Sequence, residues 1–152
     1  MGLAKRYVTE IDLSARTSTG DPEGEVMEEL ETPGQGELEA RLARLQGRVD
    51  LPIPAASAVK IEGERAYKLH RQGVAVGMPV RAMHVHELRL ESYEVGVARL
   101  ELHVSSGSYV RAIAEALGGH CRTLRRTEIG PFAVDEADSE LIIPPEDALA
   151  RL

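Results

Sequence analysis

Aromatic side chains are scarce in this 152-residue chain, which has no tryptophan, one phenylalanine and four tyrosines. Its core must therefore be mostly aliphatic, and any tyrosine at a cleft is a conspicuous stacking surface. A single cysteine, Cys121, excludes an internal disulfide and a cysteine-built zinc site. No apolar run approaches the roughly 18 residues of a membrane-spanning helix, and residues 1–7 have no apolar signal-peptide centre, so a cytoplasmic location is expected. The 18 lysines and arginines are outnumbered by 25 acidic residues, for a net charge of −7. That balance excludes the broad basic field with which proteins coat nucleic acid indiscriminately. What is present, 43% apolar and 28% charged residues in the length of one domain, is the composition of an ordinary folded protein.

The charge is unevenly spread. Residues 1–50 carry 6 basic and 11 acidic side chains, residues 51–100 carry 7 and 5, and residues 101–152 carry 5 and 9. Acidic ends thus mask two basic clusters, one of Lys60, Arg65, Lys68 and Arg71, the other of Arg111, Arg122, Arg125 and Arg126 with only Glu115 to offset it. Local binding of a polyanion survives the net charge.

Residues 6–13 alternate, with Tyr7, Thr9, Ile11 and Leu13 on one face, which predicts a half-buried strand. Residues 14–36 hold six of the 11 acidic side chains of residues 1–50 and several turn formers and read as an acidic surface excursion. Leu38, Leu42 and Leu45 recur at helical spacing, with Gly47 at the stop. Pro52 and Pro54 make residues 50–58 an extended loop, neither helix nor central strand. A helical turn over 64–71 is closed by Gly73. A long strand then begins at Pro79 and slips phase near His86, which predicts a bulge. Residues 97–104 alternate cleanly and should pair antiparallel with it. Ser105-Ser106-Gly107-Ser108 turns the chain into a helix over 109–117, capped by Ser108 and ended by Gly118-Gly119. A basic stretch, a short strand over 129–134 and a terminal helix opened by Pro144-Pro145 follow. The fold class is α+β, with a mixed, mostly antiparallel sheet and flanking helices.

Two motif-like stretches carry no chemistry. Ser106-Gly107-Ser108 lacks the G-x-S-x-G frame of a nucleophile elbow, and residues 20–24 lack the G-K-[ST] ending of a phosphate loop. His84 and His86 share a strand face with His103 on the next strand. Without a supporting carboxylate or cysteine frame they read as solvent-face imidazoles, and no metal is assigned. Tyr109 and Arg111 open a helix after a Ser/Gly turn, where free amides and a guanidinium attract anions. An ordinary cap with a surface ion pair has the same spacing. Arg125-Arg126 reads equally as a solvated face or as a track for an RNA backbone.

Four segments in order resemble the tRNA pseudouridine synthase B family. They are Lys5-Arg6-Tyr7; the T-x-T-x-D-x-E-G-E-V stretch from Thr17 to Val26; the P-x-x-S-A-x-K-x-x-G-x-x-x-Y segment over 54–67; and Ser106-Gly107-Ser108-Tyr109-Val110-Arg111, similar to S-x-G-[ST]-Y-[IV]-R. Leu117-Gly118, Leu124-Arg125-Arg126-Thr127, Gly130 and Phe132 follow. The resemblance covers about residues 5–149. It implies an isomerase that converts a uridine of the tRNA T-arm loop to pseudouridine after flipping the base, with no metal or organic cofactor.

The resemblance assigns Tyr7 to stacking on the uracil, Tyr109 to lining the pocket, Arg111 to pairing with a catalytic aspartate and Leu124 to packing beside them. Lys60, Arg65, Lys68, Arg71, Arg125 and Arg126 become RNA-backbone contacts. The family's aspartate sits in G-x-x-D-P-x-A-T-G upstream of K-R-Y, a segment these 152 residues do not contain. Asp21-Pro22 lies downstream, is not followed by A-T-G and is far along the chain from Tyr109, so it is not taken as that aspartate. In the proline loop, Leu51, Ile53-Pro54 and Ala56 replace the family's glutamine, paired prolines and tyrosine. The expectation is a single partial catalytic domain over 1–152, without a terminal RNA-binding module, inactive alone and completed by an aspartate-bearing N-terminal half. The competing expectation is a non-catalytic RNA-binding or scaffold protein. An enzyme half should expose an unpaired sheet edge at residues 6–13, and a self-contained module should cover it.

Overall fold

The computed structural model describes residues 2–57, 60, 61, 63–73, 77–136 and 145–152. Its main sheet contains β1 (Lys5–Asp12), β4 (Gly47–Pro52), β7 (Val80–Glu94), β8 (Val97–Val104), β9 (His120–Ile129) and β10 (Phe132–Ala133). Two small hairpins stand apart from it, β2 (Ala15–Thr17) with β3 (Val26–Glu29), and β5 (Lys60–Ile61) with β6 (Glu64–Arg65). The helices are α1 (Gln35–Arg44), α2 (Ala66–Arg71), α3 (Val110–Leu117) and α4 (Pro145–Leu149). Sheet order is β10-β9-β1-β8-β7-β4, and the pairings among the described residues are antiparallel, as expected for an α+β fold.

One face of this sheet makes the core. Ile11, Leu100, Leu102 and Val104 are fully buried beneath Leu38 of α1 and Ile113 and Leu117 of α3. Each such side chain contributes roughly 1.5–3 kcal/mol by leaving water. The opposite face carries the alternate residues, and these form ion pairs: Arg6 with Glu87 at 2.9 Å and with Glu128 at 3.1 Å, Arg89 with Glu101 at 2.5 Å, Arg99 with Glu91 at 3.3 Å. The bulge expected near His86 is present, since Val85 pairs Val104 and Glu87 pairs His103, with His86 left between. His84, His86 and His103 do converge there, with ring centroids 4.5 and 4.9 Å apart. Among the described residues, however, no group of three or more His, Cys, Asp or Glu side chains is arranged to hold a metal.

Several expectations need correction. Residues 6–13 are not an edge, because β1 is flanked by β8 on one side and β9 on the other. The basic stretch, to which the sequence assigns no element, is the ten-residue strand β9. Arg122 and Thr127 are extra residues where its register slips against β1, which hides the period-2 pattern. Among the described residues, β9's outer edge is paired only by β10, at Glu128 and Ile129. The proline loop begins as an edge strand, β4, in which Pro52 occupies a terminal position compatible with its missing amide. Ser108 does not cap α3: the cap residue is Tyr109, without a side-chain cap bond, and Ser108 Oγ instead lies 3.1 Å from Ser105 Oγ. Pro144 falls outside the described residues.

The Gly118-Gly119 stop has two distinct causes. Gly118 takes φ +94, which an L side chain resists. A Cβ on Gly119 would stand 2.1 Å from Asp12 O, so only glycine lets α3 return to the end of β1.

Candidate active site

Cross-strand register places the site residues. Tyr7, Thr9 and Ile11 share the core face of β1, and their β9 partners Arg126, Leu124 and Cys121 must share it too, since directly opposed residues point the same way. Thr9 confirms this, donating from its hydroxyl to Thr123 O at 2.7 Å while lying 3.8 Å from Cys121 Sγ. Arg125 pairs with Val8 and faces the other side, with Glu10 and Arg99 nearby. The consecutive arginines are therefore separated, and only Arg126 stands beside Tyr7.

α3 packs on this same face. Its first turn carries Arg111 into a cavity of about 240 Å³ lined by Asp21, Pro22, Arg111, Cys121, Arg122, Thr123 and Leu124. The volume is below the span usual for drug-sized ligands and suits a small flat group. Leu124 is 48% exposed, an apolar side chain held at the cavity wall instead of in the core. Tyr7 and Tyr109 are partly buried and pack on the edge of the core.

Arg111 is fixed by two loops. Its Nη1 donates to Thr19 O at 3.1 Å and its Nη2 to Ala56 O at 3.0 Å, so the excursion and the proline loop are both tied to α3. Asp21 Oδ2 lies 3.9 Å from Nη1. Remoteness along the chain, one of the three grounds for setting Asp21 aside, is thus overturned, while its position downstream of Lys5-Arg6-Tyr7 and the missing A-T-G still stand. The excursion forms the β2–β3 hairpin and folds back, and Cys121 N donates to Gly20 O at 2.9 Å. Gly20, at φ +75, allows this contact, because a Cβ there would stand 2.8 Å from Glu115 Oε1 and 3.4 Å from Arg111 Cβ. The acidic excursion is part of the site.

Electrostatics around the cavity follow burial. The Cys121 thiol is pushed up to about 11 by desolvation, against the opposing hydrogen bond from Thr9. It stays protonated and unreactive near neutrality. Burial likewise raises the Glu115 carboxyl, with Arg111 and Arg16 pulling the other way.

The other expected RNA contacts lie outside the main sheet. Lys60 and Arg65 are opposite one another in the β5–β6 hairpin, and Lys68 and Arg71 are on α2, where the Arg71 guanidinium sits 5.7 Å from the Tyr67 ring centroid. Sequence reasoning missed Thr9, Cys121 and Pro22 and dismissed Asp21. The pairing of β9 with β1 and the fold of the excursion bring them in, and neither is written in local spacing.

The fold is similar to that of a chain in a Cbf5-Nop10-Gar1 complex, with a TM-score of 0.62 at 20% identity over 89% of this chain and 33% of that one. It is also similar to a chain in an H/ACA ribonucleoprotein bound to a substrate RNA containing 2'-deoxyuridine, with a TM-score of 0.58 at 16% identity over 89% of this chain and 31% of that one. Both likenesses are of fold. In sequence, the chain is 39% identical over 140 residues to the tRNA pseudouridine synthase B of Pseudomonas aeruginosa strain UCBPP-PA14, covering 88% of this chain and 46% of the relative. It is 37% identical over 164 residues to that of Leifsonia xyli subsp. xyli strain CTCB07, covering 98% and 54%. The chain thus spans about half the length of the curated relatives it matches. The family model described as TruB family pseudouridylate synthase (N terminal domain) matches residues 1–110. On that match the chain belongs to the TruB family of pseudouridylate synthases.

Proposed function

We propose that this chain supplies the base-stacking and arginine side of a pseudouridine synthase active site that acts in the cytoplasm on a T-arm-loop uridine of tRNA. Residues 1–152 then form a partial catalytic domain, and an aspartate-bearing segment of the G-x-x-D-P-x-A-T-G type completes it. One observation supports the reading: of the four residues that the family motifs single out, Arg111 and Leu124 line one cavity, and Tyr7 and Tyr109 pack against the core on the same face of the sheet. A flipped uracil needs an aromatic or apolar platform, which Tyr7, Tyr109 and Leu124 supply. A carboxylate nucleophile needs a fixed cation that keeps it ionised and aimed. Arg111 has five N–H donors, and its two bonds to backbone carbonyls orient the guanidinium while leaving others for a carboxylate. Asp21 serves in this reading as a partner of Arg111.

The covered edges of β1 belong, by the criterion posed above, to a self-contained sheet. Among the described residues β4 is open at one edge of the sheet, and at the other β9 is open beyond its contacts with β10 and Gly20; β9's edge lies directly beside the cavity, and that is where an added strand can pair and bring a carboxylate to Arg111.

The test is binding of a T-arm stem-loop at graded salt. Lys60, Arg65, Lys68, Arg71 and Arg126 contact phosphates, so affinity falls steeply as salt rises. Arg126→Glu lowers low-salt affinity about tenfold and flattens the salt slope by about one unit. Arg125→Glu, on the opposite face, does less. Unchanged affinity in both variants would show that the patch is misassigned.

A further inference from the structure

Arg81 holds a place that no motif assigns it. It lies in β7 at the same parity as the buried Met83 and Val85, opposite Leu51 of β4, and so faces the helix-covered side of the sheet. Its guanidinium carbon is 5.5 Å from the centroid of the Tyr109 ring, and its Nη1 donates to Gly107 O at 3.3 Å. The first contact falls on the cap residue of α3 and the second on the Ser/Gly turn that launches it.

The same turn is anchored to β7 a second time. Ser105 N donates to His84 O at 2.9 Å, and His84 N donates to Ser105 Oγ at 3.0 Å. The turn is therefore held at its first residue by the His84 backbone and at its third, Gly107, by the Arg81 side chain. Gly107 takes φ +75, and a Cβ there would stand 3.4 Å from Arg81 Nη1. Tyr109, the cap residue of α3, makes no side-chain cap bond, so the position of its ring depends on core packing and on the cation beside it.

We propose that Arg81 is a positioning residue for the site: it fixes the ring of Tyr109 and, through Gly107, the direction in which α3 starts. A planar guanidinium can lie against an aromatic ring and donate in its own plane at the same time. A lysine ammonium, a compact point charge on a flexible stem, does one or the other. The consequence for RNA rests on the pseudouridine synthase reading, and the effect on the ring does not.

The experiment labels the four tyrosines with 3-fluorotyrosine and follows them by 19F NMR, the Tyr109 resonance being assigned by its absence from Tyr109→Phe. Tyr93, whose hydroxyl donates to Pro33 O at 2.5 Å, reports that the fold is intact. Arg81→Ala is expected to shift the Tyr109 resonance and leave that of Tyr93 in place. Arg81→Lys is expected to restore the shift only in part, and it carries the test should Arg81→Ala disturb Tyr93. Stem-loop affinity should fall by up to about tenfold in Arg81→Ala, yet Arg81→Ala should add nothing in a Tyr109→Leu background. An unmoved Tyr109 resonance with Tyr93 native, or affinity losses that multiply in the double variant, overturns the proposal. If the unaltered chain binds no stem-loop, the functional reading fails while the 19F shifts still judge Arg81.

Discussion

Cys121 shows how one residue records its surroundings. Buried against Thr9 at the back of the Arg111 cavity, its thiol titrates at about 11 instead of near 9. A group whose folded-state value is raised contributes stability that is fully present below its unfolded value and is lost as pH rises through the folded one. Urea titrations should therefore show the unfolding free energy dropping between about pH 9 and about pH 11, by on the order of 2 kcal/mol. Cys121→Ala should lack this component. An identical pH slope in the two proteins would mean that the thiol is hydrated. Below pH 9 the folded protein should also resist alkylation, because the thiolate is the reactive form. Leu124 makes the complementary point: an apolar residue left half-exposed on β9 gains meaning from what stands around it.

At the level of elements, the excursion matters because its tip is clamped, and Gly20 is the point of closest approach. Gly20→Ala puts a Cβ 2.8 Å from Glu115 Oε1 at a backbone angle that disfavours any side chain. It should cost about 1–2 kcal/mol, measurable by thermal unfolding. Adding Glu115→Ala should recover the steric part and leave the backbone part. Equal losses with and without Glu115 would show that the carboxylate does not press on the turn. The elements that sequence reasoning found correctly are those whose apolar period faces one core, such as α1 with Leu38, Leu42 and Leu45, β8 with its clean alternation, and β7 down to the slip at His86. β9 escaped because its exposed arginines and threonines and its two register slips against β1 leave no apolar alternation. The β2–β3 hairpin escaped because acidic, turn-rich sequence resembles loop until its contact with α3 is seen. For the same reason the Tyr109–Arg111 helix start was legible as a motif. Asp21, fixed beside it by tertiary folding alone, was not.

Across the whole molecule, the sheet divides the charge. Arginine and glutamate neutralise one another on the outer face, while Arg111 and Arg126 stand on the face with the tyrosines. This is how a chain of net charge −7 can present a local anion site. The arrangement has a cation, an aromatic platform and an apolar wall, but in the proposed reading it lacks the nucleophile whose loss costs such enzymes several orders of magnitude in rate. Arg111 cannot serve as a base at ordinary pH. The decisive measurement is pseudouridine formation in a T-arm transcript by the chain alone, by the chain with an aspartate-bearing G-x-x-D-P-x-A-T-G segment supplied, and by the chain with that segment carrying Asp→Asn. Product is expected only in the second case. Product from the unaccompanied chain, abolished by Asp21→Asn, would contradict this and make Asp21 the nucleophile.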